Sequence, residues 1–333
     1  MNVAVCIPTY NQAGYLAAAV RSAFNQLLAP AEVWLSDDCS TDETPEVARS
    51  LQMEFPNLKY VRQPNNLGVS GNRNWLGRQP TSEYIAKLDS DDYYEPAYLA
   101  RLTEVLKKYP AAGYAHCAVT EVDESSSPVR ARRLNRAVEY IESEQALREA
   151  AKGYRVSANI IVFRRSALEQ VGFWRSDMIF AEDWDLAVRL ADAGWGNCYV
   201  PDILANYRVW GAADGYRQSR KISEVNGICR VFDDDLLPAF ARRGWDSKDL
   251  LARRQQFAVA QAGIFFERQI EGIDRQNLEG ALRKLGASRT LELYLRLSRA
   301  KPIAAVYVSA RRVKLRLKDG VKRVLANFYP AKK

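Results

Sequence analysis

The sequence predicts an α/β fold, a mixed sheet flanked by helices and followed by a helical, basic C-terminal region. Three observations carry this. Val3–Ile7, Glu32–Ser36, Leu58–Val61 and Tyr84–Leu88 are short apolar or β-rich runs, each separated from the next by a helix-compatible segment. Those segments, Ala13–Leu28, Thr44–Phe55 and Val69–Arg78, have the length and apolar spacing of helices that pack onto a parallel sheet. Beyond about Ser219 the pattern is helical with no convincing strand.

Within this frame, Asp42 or Thr41 caps the second helix, and Pro45 is tolerated in its first turn. Pro96–Tyr109 reads as a helix, Gly113–Val119 as a strand, and Thr120 to Arg136 as a variable surface loop. A helix over Ile141–Lys152, a strand over Asn159–Phe163, a helix over Trp184–Ala193 and a strand over Gly196–Val200 complete one mixed domain near Trp210. The expected division is therefore a domain over 1–215 and a helical region over 216–333. There is no internal repeat and no low-complexity segment.

At 333 residues and 47% hydrophobic, the chain can bury one large core or two modest ones. Charge-free stretches such as Phe257–Phe266 fall well short of the roughly 20 residues needed to cross a bilayer. The N-terminus reads as a first strand rather than a signal peptide, so a cytoplasmic location is expected. The five cysteines lie far apart without a CxxC pair, which predicts reduced, buried thiols rather than disulfides or a zinc site. Residues 301–333 carry a net +9, so the first 300 residues hold about −1 of the chain's +8. The basic character belongs to the tail, and nucleic acid is not an expected partner. From Ile303, the positions Val306, Ala310, Val313, Leu317, Val321, Val324 and Phe328 form one apolar stripe among Arg and Lys. This amphipathic basic tail, 301–333, suits an anionic membrane surface, and equally a terminal helix packed on the domain. Gly320 and the alternation over Val313–Lys318 weaken the case for one continuous helix.

Function is read from the strand ends, where open α/β sheets bind ligands. Pro8-Thr9-Tyr10-Asn11 follows the first strand, Asp37-Asp38 the second and Asp89-Ser90-Asp91-Asp92 the fourth. With Glu182 and Asp183 these give seven carboxylates in loops or at element ends, where like charges repel unless a cation neutralises them. Closely spaced aspartates supply oxygen ligands for Mg2+ or Mn2+, ions that bind through one or two carboxylates together with substrate phosphates. A diphosphate-bearing substrate is the natural partner. For a lone Asp-x-Asp, an ordinary solvated acidic turn would be the better reading.

The order of motifs decides between them. Val-Cys-Ile-Pro-Thr-Tyr-Asn (5–11), Ser-Asp-Asp-Cys-Ser-Thr-Asp-Glu-Thr (36–44), Asn-Asn-Leu-Gly-Val-Ser-Gly-Asn-Arg-Asn (65–74), Leu-Asp-Ser-Asp-Asp (88–92) and Ala-Glu-Asp-Trp-Asp-Leu (181–186) run in one sequence. Together they resemble family 2 of the glycosyltransferases, an inverting family with the GT-A type, Rossmann-like fold, over roughly residues 2–210. The resemblance implies that Pro8 and Tyr10 flank the nucleobase, that Asp38 accepts from its ring NH, and that Arg73 approaches the base or the phosphates. It implies that Asp89 and Asp91 face the ribose and metal, with Asp92 coordinating the metal most directly. A UDP-sugar is the default donor, and a glycan or lipid-linked acceptor in cell-surface polysaccharide biosynthesis is expected.

Inverting transfer needs one base on the acceptor side. Asp183 occupies the family's catalytic-base position, with Glu182 and the Trp184 face beside the acceptor. Read without the upstream motifs, Glu182-Asp183 is an acidic helix N-terminus favoured by the macrodipole. The chain departs from the family pattern where a metal-binding histidine follows a Tyr-Arg pair, because Tyr207-Arg208 is followed by Val209-Trp210. Asp214, water or the donor diphosphate is left to complete the coordination. The only histidine, His116, lies in a strand-like run and is expected to be structural. Two other readings are a sugar nucleotidylyltransferase and a catalytically silent nucleotide-binding scaffold. Pro8–Gly14 lacks the glycine-rich basic signature of the first, and Asp91, Asp92 and Asp183 together argue against the second.

Overall fold

The computed structural model describes residues 2–210, 220–267 and 270–300. The chain forms two compact units, the first ending at Trp245 and the second starting at Asp246. The boundary expected at 215 therefore falls inside the first unit, which also contains the helix Lys221–Arg230, a π-helical turn Val231–Leu236 and the helix Leu237–Arg242.

The first half follows the expected alternation: β1 (Val3–Thr9), α1 (Ala13–Phe24), β2 (Glu32–Asp37), α2 (Thr44–Glu54), β3 (Leu58–Arg62), α3 (Gly68–Gly77) and β4 (Tyr84–Lys87). Then come β5 (Tyr93–Tyr94), α4 (Tyr98–Lys108), β6 (Ala112–Val122), β7 (Pro128–Arg132), β8 (Tyr140–Ile141), α5 (Ser143–Ala150), β9 (Ile161–Arg164), α6 (Arg165–Val171), α7 (Glu182–Asp192) and β10 (Gly196–Arg208). The sheet order is β3-β2-β1-β4-β9-β6-β10-β5, with β7 on β6 and β8 on β10. Strands β1 to β4 pair in parallel, whereas β9 runs antiparallel between β4 and β6, so the sheet is mixed.

Strand alternation splits the core between the two faces of this sheet. Val3, Val5 and Ile7 of β1 join a cluster with Leu16, Ala19, Leu51, Leu99 and Leu102, while Cys6 and Ile85 point to the opposite one with Leu76, Phe163, Leu168, Trp174 and Leu186. Two expectations need correction. The stretch Thr120–Arg136 is not only loop, because β7 pairs antiparallel with β6. Strand β10 runs on to Arg208, well past Val200, with register shifts at Val200/Ile203 and Ile203/Ala205 that let it pass Pro201-Asp202.

No disulfide forms among the cysteines: Cys6, Cys117, Cys198 and Cys229 are buried and Cys39 is half-buried. In the second unit, helices Lys248–Ala262, Gly272–Gly286 and Arg289–Leu297 pack together. A Cβ on Gly286 would come within 2.7 Å of the Gln255 backbone, so a glycine is what permits that approach. Among the described residues no helix is long and apolar enough to cross a membrane. The expected amphipathic tail, 301–333, and Asp214 lie outside the described residues.

Candidate active site

Three loops at the carboxyl ends of β1, β2 and β4 converge, and each is held by its own polar contacts. Asp42 accepts the amides of Thr44 (3.0 Å) and Ala13 (3.2 Å), and so satisfies the first turns of both α2 and α1. Asn11 and Cys39 take left-handed backbone angles (φ 52° and 63°). Asn11 is tied across to the second loop, where its amide donates to the Ser40 hydroxyl and its side-chain oxygen accepts from the Thr41 amide. Helix α3 is docked by Asn72, which binds the hydroxyl and carbonyl of Ser36 at the end of β2. These contacts fix the wall of a cavity of about 990 Å³.

Pro8, Tyr10, Asp38, Arg73, Asp89 and Asp91 all line that cavity, together with Ser176, Met178, Ile179 and Trp210. Tyr10 is 46% exposed at its mouth. Asp38 is buried, and its Oδ1 accepts the Leu67 amide at 2.7 Å. Burial raises its carboxyl above the ordinary range, against the pull of the Leu67 and Gly68 amides. Its neighbour Asp37 faces inward, accepting from the Ser40 amide and the Tyr60 hydroxyl.

The acidic run separates into three environments. Asp89 is half-buried, and the charges of Arg73 and Lys87 outweigh the effect of its desolvation and hold its carboxyl below the usual range. Asp91 lines the cavity, where burial and the charge of Asp89 raise it, and one of its oxygens accepts the Trp210 indole NH at 3.0 Å. Asp92 contradicts its expected role as the foremost metal ligand. It is 2% exposed, does not line the cavity, and its Oδ1 accepts the Arg208 amide at 2.7 Å. The turn closed by the Asp92 amide on the Asp89 carbonyl directs it into the core, where burial and the two neighbouring aspartates push its carboxyl well up.

Arg73 links this side to α7. Its guanidinium donates to Asp89 at 2.8 Å and to Glu182, and lies 3.7 Å from Asp183. Lys87, the last residue of β4, is 2% exposed and reaches Asp183 at 3.2 Å, Asp89 at 3.4 Å and the Asn159 carbonyl at 3.1 Å. Asp183 is itself 6% exposed and sits behind the cavity wall, one contact from the wall residue Arg73. Burial and the charge of Asp183 raise the Glu182 carboxyl, with Arg73 opposing. Ala181, in the left-handed region at φ 62°, precedes the pair.

The expected acceptor-facing role of Trp184 does not match its position. It is 5% exposed, its indole NH donates to the Ala150 carbonyl, and its ring packs edge-on against Phe232. Sequence reasoning overlooked Lys87 and Trp174. The only signal for Lys87 was a charged residue in an otherwise apolar strand, and Trp174 gave none. His116 is fully buried between Tyr114 and Tyr199, consistent with a structural place.

The donor set suits a hard divalent cation shared with substrate phosphates, since Asp89 and Asp91 are the acidic-run carboxylates on the cavity wall. Among the described residues, no three acidic, cysteine or histidine side chains form a cluster that would hold a metal by themselves. Asp91 is the residue that fits, because it lines the cavity beside Asp89 and a cation there would offset the charge the two carboxylates share.

A family model described as glycosyl transferase family 2 matches residues 4–172. The chondroitin synthase of Escherichia coli is 36% identical over 94 residues, 28% of this chain and 14% of the synthase. A GalNAc(5)-diNAcBac-PP-undecaprenol beta-1,3-glucosyltransferase of Campylobacter jejuni is 28% identical over 172 residues, 51% of this chain and 54% of that enzyme. The chain thus spans between about a seventh and about a half of these two curated relatives. In three dimensions it is similar to S. aureus TarS 1-349 in complex with UDP-GlcNAc, with a TM-score of 0.55 at 18% identity over 94% of this chain and 92% of that one. The matched stretch carries the strand-end loops and all of the acidic run, and takes in half of the chain, so the chain belongs to glycosyl transferase family 2.

Proposed function

We propose that this chain transfers a sugar from a nucleotide diphosphate to a glycan or lipid-linked acceptor by a single inverting displacement, in polysaccharide biosynthesis. The observation that carries this reading is one cavity lined both by Pro8, Tyr10 and Asp38 and by Arg73, Asp89 and Asp91. The first group suits a nucleobase: a flat aromatic at the mouth and a carboxylate for a ring NH. The second suits a diphosphate with its cation. UDP is the default nucleotide.

Asp91, with Asp89 beside it, would hold Mg2+ or Mn2+, which supplies charge neutralisation for the diphosphate when bound. The protein's own groups do the rest. Arg73 offers a planar fork to phosphate oxygens from the cavity wall. Asp183 is the base: as the acceptor oxygen bonds to the anomeric carbon and the diphosphate departs, the hydroxyl proton passes to its carboxylate. Asp183 lies behind Arg73, so the acceptor would reach it with Arg73 turned to the phosphates.

A panel of UDP-, dTDP- and GDP-sugars, assayed for metal-dependent hydrolysis with water as acceptor, tests the reading. One donor should be cleaved with inversion, and Asp183→Asn should slow that cleavage by roughly a hundredfold or more while donor affinity is kept. Retained anomeric configuration, or near-native turnover by Asp183→Asn, would exclude the mechanism.

A further inference from the structure

The carboxylate of Asp183 has a donor on each oxygen. Lys87 reaches Oδ2 at 3.2 Å, and the indole Nε1–H of Trp174 donates to Oδ1 at 3.1 Å. The two donors differ in what else they touch. Lys87 also contacts Asp89, so its charge serves the donor side as well. The one polar atom of the Trp174 side chain goes to Asp183.

The placement of Trp174 is set by several independent features. Its ring is 3% exposed and packs edge-on against Phe163, with centroids 5.4 Å apart. On another side it presses on α3 at Gly77, where a Cβ would come within 2.9 Å of ring carbon Cζ3 and 3.3 Å of Phe173. The chain enters this slot through two consecutive left-handed residues, Gly172 at φ 79° and Phe173 at φ 64°. For a bulky residue such as Phe173 that conformation is strained, and strain of this kind persists where the surroundings enforce it. A glycine on one helix, a strained phenylalanine and a buried indole therefore combine to present a single N–H to Oδ1 of one carboxylate.

The geometry points to Trp174 as a positioning residue for the catalytic base, an inference that rests on the reading of Asp183 given above. With a donor on each oxygen the carboxylate cannot turn without breaking a hydrogen bond. Its remaining lone pairs are thus held in one direction for the proton of the attacking hydroxyl, or of water in hydrolysis. Loss of the indole N–H leaves the carboxylate free to pivot about Lys87. Misorientation of a general base costs rate, not donor binding.

The test uses the full chain, with the UDP-sugar it hydrolyses fastest in the presence of Mn2+. Trp174→Phe keeps an aromatic ring in the slot and removes the N–H. The expected result is a kcat about tenfold lower, with donor KM and UDP affinity in Mn2+ unchanged. In an Asp183→Asn background the same substitution should change kcat no further, because Trp174 acts through that carboxylate. Phe163→Leu, which loosens the same packing without touching the N–H, should lower the melting temperature and spare kcat. Should Trp174→Phe not fold, Gly77→Ala, which crowds the ring out of its slot, should give the same kcat loss. A kcat for Trp174→Phe within twofold of native, or an equal further loss in the Asp183→Asn background, overturns the positioning role while leaving Asp183 as the base. Near-native turnover by Asp183→Asn alone overturns both.

Discussion

Asp89, Asp91 and Asp92 are three near neighbours of one residue type in three environments: paired with cations, open to the cavity, and buried under a backbone amide. The sequence shows the cluster and its place after a strand. It does not show which carboxylate turns inward, because that depends on one turn and on β10, whose Arg208 amide comes from more than a hundred residues away. Asp92→Ala, which leaves that amide unpaired, should cost about 1–3 kcal/mol of stability in chemical denaturation and spare Mn2+-dependent UDP binding. Loss of UDP binding in a folded Asp92→Ala would return Asp92 to the metal site. His116 gives a second residue-scale prediction. Burial, with the charge of Arg136, lowers its imidazole to about 3. Between the ordinary histidine value and about 3 the unfolded chain binds a proton that the folded chain does not, so stability falls as pH drops through that window. His116→Phe should flatten the acid limb of a melting-temperature profile. An unchanged slope would mean that His116 protonates within the fold.

At the scale of elements, the β-α-β-α half was legible because period-2 and period-3.6 patterns alternate cleanly there. Strand β7 was not legible, since Pro128–Arg132 is a five-residue run that opens on proline, and its brief alternation of Val129 and Ala131 with two arginines is exposed along its whole length. The second half of β10 was hidden by Pro201-Asp202, which reads as a strand end and is accommodated by register shifts. The segment before α7 is anchored by an arrangement that no local pattern announces. Arg175 pairs with Asp185 of α7 and, at 2.9 Å, with Asp235 of the π-helical turn, the kind of local irregularity that marks sites under constraint. Burial, followed by the charge of Asp185, raises the Asp235 carboxyl to about 7 despite Arg175. Here the folded state holds the extra proton. Between the ordinary carboxylate value and about 7, stability falls as pH rises, and above that window the loss is complete. The melting temperature of Asp235→Asn should decline less than the native one from pH 5 to 7.5. Parallel profiles would show that Asp235 stays ionised across the range.

At the scale of the whole molecule, every cavity-lining residue lies in the unit ending at Trp245. Sequence motifs located that site, because its residues follow strand ends in a fixed order. They missed the two buried donors to Asp183, Lys87 and Trp174: a lone charge in an apolar strand was the only mark of the first, and the second carries no local signature. They left the coordination position after Tyr207-Arg208 open to Asp214, water or the donor diphosphate, and the structure sets the Trp210 indole against Asp91 there. The central claim is that this cavity takes a nucleoside diphosphate with a divalent cation at Asp91. Calorimetric titration of UDP, with and without Mn2+, into the native chain and Asp91→Ala tests it most directly. The account predicts binding to the native chain in Mn2+, at least tenfold weaker binding without it, and the same loss in Asp91→Ala with Mn2+ present. Equal UDP affinity with and without Mn2+, unaffected by Asp91→Ala, would contradict it.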